Sequence, residues 1–146
     1  MGIPHPDRDS QFYEGVPVRR LAAFVIDMVV IFVLTAVSAF VLLVATFGLS
    51  GPIIPLVITL TGFFYRYLML KQRSATIGML LTGIEVRNSE GDKLDNTMAF
   101  LHTATYTATF IVTPLMLIGW FLMLSDSHRR LMHDSILGTV VINRPR

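Results

Sequence analysis

The sequence predicts an all-α integral membrane protein: a helical hairpin plus a third, proline-bent membrane segment, with a short cytoplasmic β-strand pair. Three observations carry that expectation. Hydrophobic residues make up 53% of the 146 and charged residues only 15%, whereas soluble domains carry about 25% charged residues. Across residues 21–70 the only ionisable side chains are Asp27, Arg66 and two tyrosines, a run too long for a soluble domain of this size to hide. Two short stretches, residues 83–87 and 139–142, carry strand patterning amid the helical signal.

Residues 1–18 form a polar arm with acids and prolines. The arm lacks the apolar core and cleavage site of a signal peptide. Pro4 and Pro6 follow Gly2, with no Ser or Thr placed for myristoylation. The first membrane segment is read at residues 21–47, enough for a crossing that takes about 20 residues. Gly48, Ser50, Gly51 and Pro52 make an uncharged turn into the second segment, residues 53–70. Residues 71–96 are polar and hold a short amphipathic piece, the first strand, and a turn in which Gly91 is free to adopt positive φ. The third segment is read at residues 97–124, with Pro114 near its middle removing a backbone donor and kinking the helix. Residues 127–137 read as a short helix ended by Gly138 as a C-cap. The strand at 139–142 is predicted to pair with 83–87, because a lone strand leaves its backbone groups unsatisfied. Residues 19–146 therefore form one membrane domain, without internal repeats.

Basic residues mark the cytoplasmic side. Arg8, Arg19 and Arg20 precede the first segment, and Arg66, Lys71, Arg73, Arg87 and Lys93 lie at or after the end of the second. The turn between has none, so the N-terminus and the middle region are expected in the cytoplasm. A third full crossing would then place Arg129, Arg130, Arg144 and Arg146 outside. Charge bias and strand pairing both oppose that. Either the Pro114 bend makes the third segment re-entrant, or two half-length pieces each cross a thinned region. The bias favours a cytoplasmic C-terminus.

The intramembrane charges are the candidate functional residues. Asp27 lies about two turns into the first helix, ~10 Å along its axis, with Arg20 seven residues earlier on the same face. Arg66 lies ~6–8 Å inside the end of the second helix. An Asp27–Arg66 contact across the hairpin is expected, because a lone charge in hydrocarbon costs about 2.5–3.5 kcal/mol. In the tail, Arg130 and Asp134 are read as helical neighbours four apart, with His133 beside them. The charge cluster is thus Arg20, Asp27, Arg66, Arg130, His133 and Asp134. His102 is a further polar intrusion into the third segment. Each residue also has a plain structural explanation: Asp27 fastening two helices, Arg66 snorkelling to headgroups, Arg129 and Arg130 touching anionic lipid.

Other chemistries are not expected. The chain has no cysteine, hence no disulfides, thiolate sites or cysteine nucleophile. His128 and His133 are five apart with no third ligand at fixed spacing, so no metal site is read. No nucleophile elbow or phosphate loop is present, so neither enzymatic activity nor a cofactor is expected. A formal charge of +2 offers no strong field for nucleic acid.

Several motifs point one way. Arg20 and Asp27 open the first helix. Thr76-Ile77-Gly78, Gly83-Ile84-Glu85-Val86 and Glu90-Gly91 follow. Arg130-Leu131-Met132-His133-Asp134 and Gly138-Thr139-Val140-Val141 close the chain. In this order they resemble the RDD family of small membrane proteins, named for an arginine and two aspartates. The resemblance covers the chain after Val16 and implies that the name residues are Arg20, Asp27 and Asp134. Many relatives have Lys where Met79 stands and Arg where His102 stands, which implies an altered site here if those cations share one. The resemblance also implies a role in transport.

Two functions follow as expectations. One is transport of a cation or proton through the buried Arg/Asp cluster. Two or three short helices enclose no path, so this reading needs a homo-oligomer. The other is a non-catalytic accessory or assembly subunit of a larger membrane complex. In both, membrane lipid is the surrounding partner and the bacterial cytoplasmic membrane the expected location.

Overall fold

A computed structural model describes residues 2–145. Met1 and Arg146, the latter one of the C-terminal cations counted above, lie outside the described residues.

The first long helix, α1 (Val16–Ala45), starts at Gly15, whose φ of +69° ends the preceding turn, and carries a proline in its first turn. A proline there loses only an N–H that has no helical partner anyway. The helix therefore begins five residues before the apolar segment, and the predicted arm–domain boundary at 18/19 falls inside it. Its 30 residues extend ~45 Å. After a 3-10 turn at Gly51–Ile53, the chain returns as α2 (Ile54–Arg73). Both helices are long and apolar enough to cross a membrane, and only 6% and 11% of their most apolar windows are buried. Side chains such as Phe32, Phe40, Leu56 and Phe64 are bare. A bilayer or other apolar surface is what such faces require.

The polar stretch is a compact platform. Helix α3 (Ile77–Thr82) is capped by Thr76, whose hydroxyl accepts from the Met79 N–H at 3.2 Å. Strand β1 (Ile84–Arg87) leads into a turn in which Asn88 N–H bonds Asp92 O and Gly91 takes φ +83°. Strand β2 (Val140–Asn143) pairs with β1, as the sequence predicts, and the structure adds that the pairing is antiparallel with Val86 opposite Val141. Helix α4 (Asn96–Ile111) is capped by Asp95, and α5 (Thr113–Ser125) follows a break at Val112 with Pro114 in its first turn. The axes of Asn96–Ile111 and Met116–Ser125 differ by 113°, a far sharper reversal than a proline kink within one helix. Helix α6 (Met132–Leu137) then ends at Gly138, φ +67°, as predicted.

The core lies where platform and helix ends meet. Val16 and Ala23 of α1, Leu70 of α2, Met79 of α3, Ile84 and Val86 of β1 pack together. A second cluster joins Tyr13 of the arm to Val140 and Ile142 of β2. The arm is thus fastened to the strands, and Asn143 Nδ2 also donates to Gln11 O and Glu14 O at 2.8 and 2.9 Å.

One local expectation is corrected. The helix predicted from residue 127 begins only at Met132. Asp126 instead accepts the Arg130 N–H (2.9 Å) and Arg129 sits at φ +54°, which folds residues 126–130 into a turn. Glu85, a charged side chain of β1, is buried. Arg87 pairs with its carboxylate and Arg144 Nε lies 3.7 Å away, so its charge is compensated under cover.

Candidate functional site: a buried charge cluster

Helices α1, α4 and α6 bring one aspartate to the centre. Asp134, fully buried, accepts on Oδ2 from Arg20 Nη2 (2.5 Å) and from the Leu131 N–H (3.1 Å). Its Oδ1 faces His102 Nε2 (2.9 Å) and the Thr139 hydroxyl (3.3 Å). Arg20 Nη1 continues to Arg129 O at 3.2 Å. The Leu131 contact arises because Asp134 is the third residue of α6, where a carboxylate can reach back to an unpaired N–H. The remaining donors tie α1, α4 and the tail together.

Asp27 is satisfied differently. Its Oδ1 accepts from the Tyr65 hydroxyl (2.6 Å) and the Gly78 N–H (2.9 Å), and its Oδ2 from the Thr76 hydroxyl (2.6 Å). All three donors are neutral. Tyr65 in turn accepts from the Ile77 N–H at 3.1 Å. The expected Asp27–Arg66 ion pair is therefore absent among the described residues. Three donors occupy the carboxylate's acceptor sites where a counter-ion was expected, so its polar atoms are paired under cover.

Arg66 is buried too. Its guanidinium lies 3.7 Å from the centre of the Tyr106 ring, a cation–π contact that is stronger when desolvated. Its Nε has no hydrogen-bond partner among the described residues. It neither snorkels outward nor touches Asp27. Arg130 departs furthest from expectation: half-buried, it pairs with Asp126 (Nε to Oδ2, 3.1 Å) rather than with Asp134. The intervening turn breaks the helical spacing on which the four-residue pairing depended.

Arg20, Asp27, Arg66 and His133 nonetheless share the walls of one cavity of about 50 Å³, room for a few waters. His133 Nε2, like Arg66 Nε, is buried without a partner. Five of the six predicted cluster residues thus assemble, and Arg130 stands apart. Sequence reasoning missed Tyr65, Thr76 and Gly78 as the ligands of Asp27. The signal was available in the Thr76-Ile77-Gly78 motif, which pairs a hydroxyl with a glycine N–H at a helix start. Tyr65, noted from the sequence as one of the two tyrosines in the apolar run, turns its hydroxyl inward to Asp27.

His133 and Asp134 lie in α6, outside the membrane-spanning segments, and both are perturbed. Burial alone would raise Asp134, but the Arg20 guanidinium and the His102 hydrogen bond hold it well below the usual carboxylate range. Burial pushes His133 well below the usual imidazole value. The unfolded chain takes up a proton at His133 near pH ~6.5 that the folded protein refuses, and at Asp134 near pH ~3.9. Stability contributed by each group is therefore present above those values and lost as pH falls. The unfolding temperature of metal-free protein in detergent is expected to be level above about pH 7, to fall below about 6.5, and to fall again below about 4. His133→Phe is expected to shrink the first decline, to which His128 also contributes, and to keep the second.

Fold and site together define a small helical membrane protein organised around a buried Arg–Asp pair and a second, separately held aspartate. The model of the RDD family matches residues 15–138, and the chain belongs to the RDD family. The matched span contains Arg20, Asp27 and Asp134. No curated protein and no solved structure matches the chain.

Proposed function

We propose that the protein transports an ion, a proton or small cation, as a homo-oligomer, with the cavity between Arg20, Asp27, Arg66 and His133 as its polar way-station. The observation that carries this reading is the cavity itself. It lies where apolar helices meet the polar platform, holds both signs of charge, and retains two buried nitrogens without partners. Polar groups at that depth are costly and are read as functional by default. The bare faces of α1 and α2 supply surface for lipid and for further copies. In this reading the arm, the strand pair and α6 lie on the cytoplasmic side of a bacterial cytoplasmic membrane, on the side marked by Arg19, Lys71, Arg73 and Arg87. The α4–α5 reversal is then a re-entrant segment, because the pairing of β2 with β1 keeps both on one side.

A second reading has its own support. Asp27 already accepts three neutral donors and Arg20 is committed to Asp134, an arrangement that suits fastening in an accessory subunit of a larger complex.

Purified protein in proteoliposomes is expected to dissipate an imposed proton, sodium or potassium gradient. Asp27→Asn, folded by size-exclusion chromatography, is expected to lose that flux. No flux under any of these gradients would reject transport. Mass in native lipid separates the readings further: a discrete homo-oligomer is expected, and a single copy bound to a fixed foreign partner supports the accessory role. Protease accessibility of both termini in oriented vesicles tests the topology.

A further inference from the structure

We propose that His102, His133 and Asp134 form a binding site for one divalent transition-metal ion of the zinc or cobalt type. One ligand atom from each residue lies within 4.8 Å of the others, and all three residues are buried. His102 Nε2 is 2.9 Å and His133 Nε2 is 3.4 Å from the same oxygen, Asp134 Oδ1. With metal–ligand bonds of about 2.0–2.1 Å, neighbouring ligand atoms stand ~2.9 Å apart in an octahedron and ~3.3 Å apart in a tetrahedron. The site is spaced for a shared centre.

An independent observation points to a ligand. His133 Nε2 is buried with no hydrogen-bond partner among the described residues, and leaving a buried nitrogen unpaired is unfavourable. A cation on its lone pair removes that cost. The opposite oxygen of Asp134 is held by Arg20 and the Leu131 N–H, the kind of outer hydrogen bond that orients a ligating carboxylate. Arg20 thereby keeps its positive charge on the far side of the carboxylate. His133 also lines the cavity, so cavity water can complete the coordination. Two imidazoles and one carboxylate favour zinc, cobalt or nickel over magnesium or calcium. To ligate through Nε2, neutral His102 carries its proton on Nδ1, an atom without a hydrogen-bond partner among the described residues. The pair weighed from sequence, His128 and His133, is not the site. His128 packs edge-on against Tyr13, ring centres 5.7 Å apart.

The test uses untagged protein in detergent, stripped with chelator and titrated with Co2+, then Zn2+. One Co2+ per chain is expected, with visible d–d bands that Zn2+ abolishes and a raised unfolding temperature. His133→Phe preserves the ring packing on His102 and Tyr106. This variant and His102→Gln are each expected to weaken binding by more than the about 10–100-fold that loss of an outer-shell partner costs. His128→Gln is expected to bind normally. The proposal is overturned if wild-type protein takes up no Co2+ at millimolar metal, if both site variants bind as wild type does, or if His128→Gln abolishes binding. Should the site variants fail to fold, wild-type titration with the His128→Gln control decides it. Binding is read at equilibrium without a vesicle, so a silent flux assay leaves this result standing, and the converse.

Discussion

Arg20→Met is expected to destabilise the protein by about 3–5 kcal/mol, the usual cost of stripping the partner from a buried charge. The substitution keeps most of the apolar stem and removes the guanidinium. Asp134 would then sit fully buried beside neutral donors only, and the bond from α1 to Arg129 O would also be lost. Thermal unfolding in detergent, followed by circular dichroism, measures the loss. The double variant R20M/D134N removes both charges and is expected to be less damaged than the sum of the single variants, by about 0.5–3 kcal/mol of coupling. Strict additivity would mean that the 2.5 Å contact contributes nothing as a pair.

Gly78→Ala is expected to be comparably severe. A Cβ at Gly78 would lie 2.2 Å from Ala23 O and 2.9 Å from Asp27 Oδ1. The first clash is with helical backbone of α1, which cannot rotate away. Relief requires α3 to lift from α1, and lifting breaks the Gly78 N–H bond to Asp27. Overpacking costs about 1–3 kcal/mol and occasionally more. Here loss of a buried hydrogen bond adds to it, another ~1–3 kcal/mol. Gly62→Ala is the control. Its Cβ would meet only Ile31 methyl groups at 3.8 Å, ordinary contact, and little change in unfolding temperature is expected.

What the sequence disclosed and what it withheld divide along physical lines. Periodicity and apolar length are properties of neighbouring residues. They located α1, α2 and both strands, and Pro114 marked the break between α4 and α5. Gly138 and Gly91 were legible because their positions need positive φ. The site was legible as composition, not as wiring. Asp27 stood out as an acid in an apolar run, and the expectation of a cationic partner assumed that only charge can compensate charge. A tyrosine, a threonine and a glycine N–H from residues 38–51 positions away do so instead, and no periodicity reports such distances. Arg130 was assigned to Asp134 on the premise of a continuous helix. Asp126 captures it four residues earlier. His102 was noticed as an oddity, but only the packing of α4 on α6 delivers it to Asp134.

The strand pair has a bearing on biosynthesis. Helices α1 and α2 can insert as soon as they leave the ribosome, since neither waits for distant residues to satisfy its backbone. Strand β1 cannot close its ladder until Val140–Asn143 have been made, and Arg20 waits equally long for Asp134. The nascent protein thus passes through a stage in which its anchor is lodged while its polar latch hangs open.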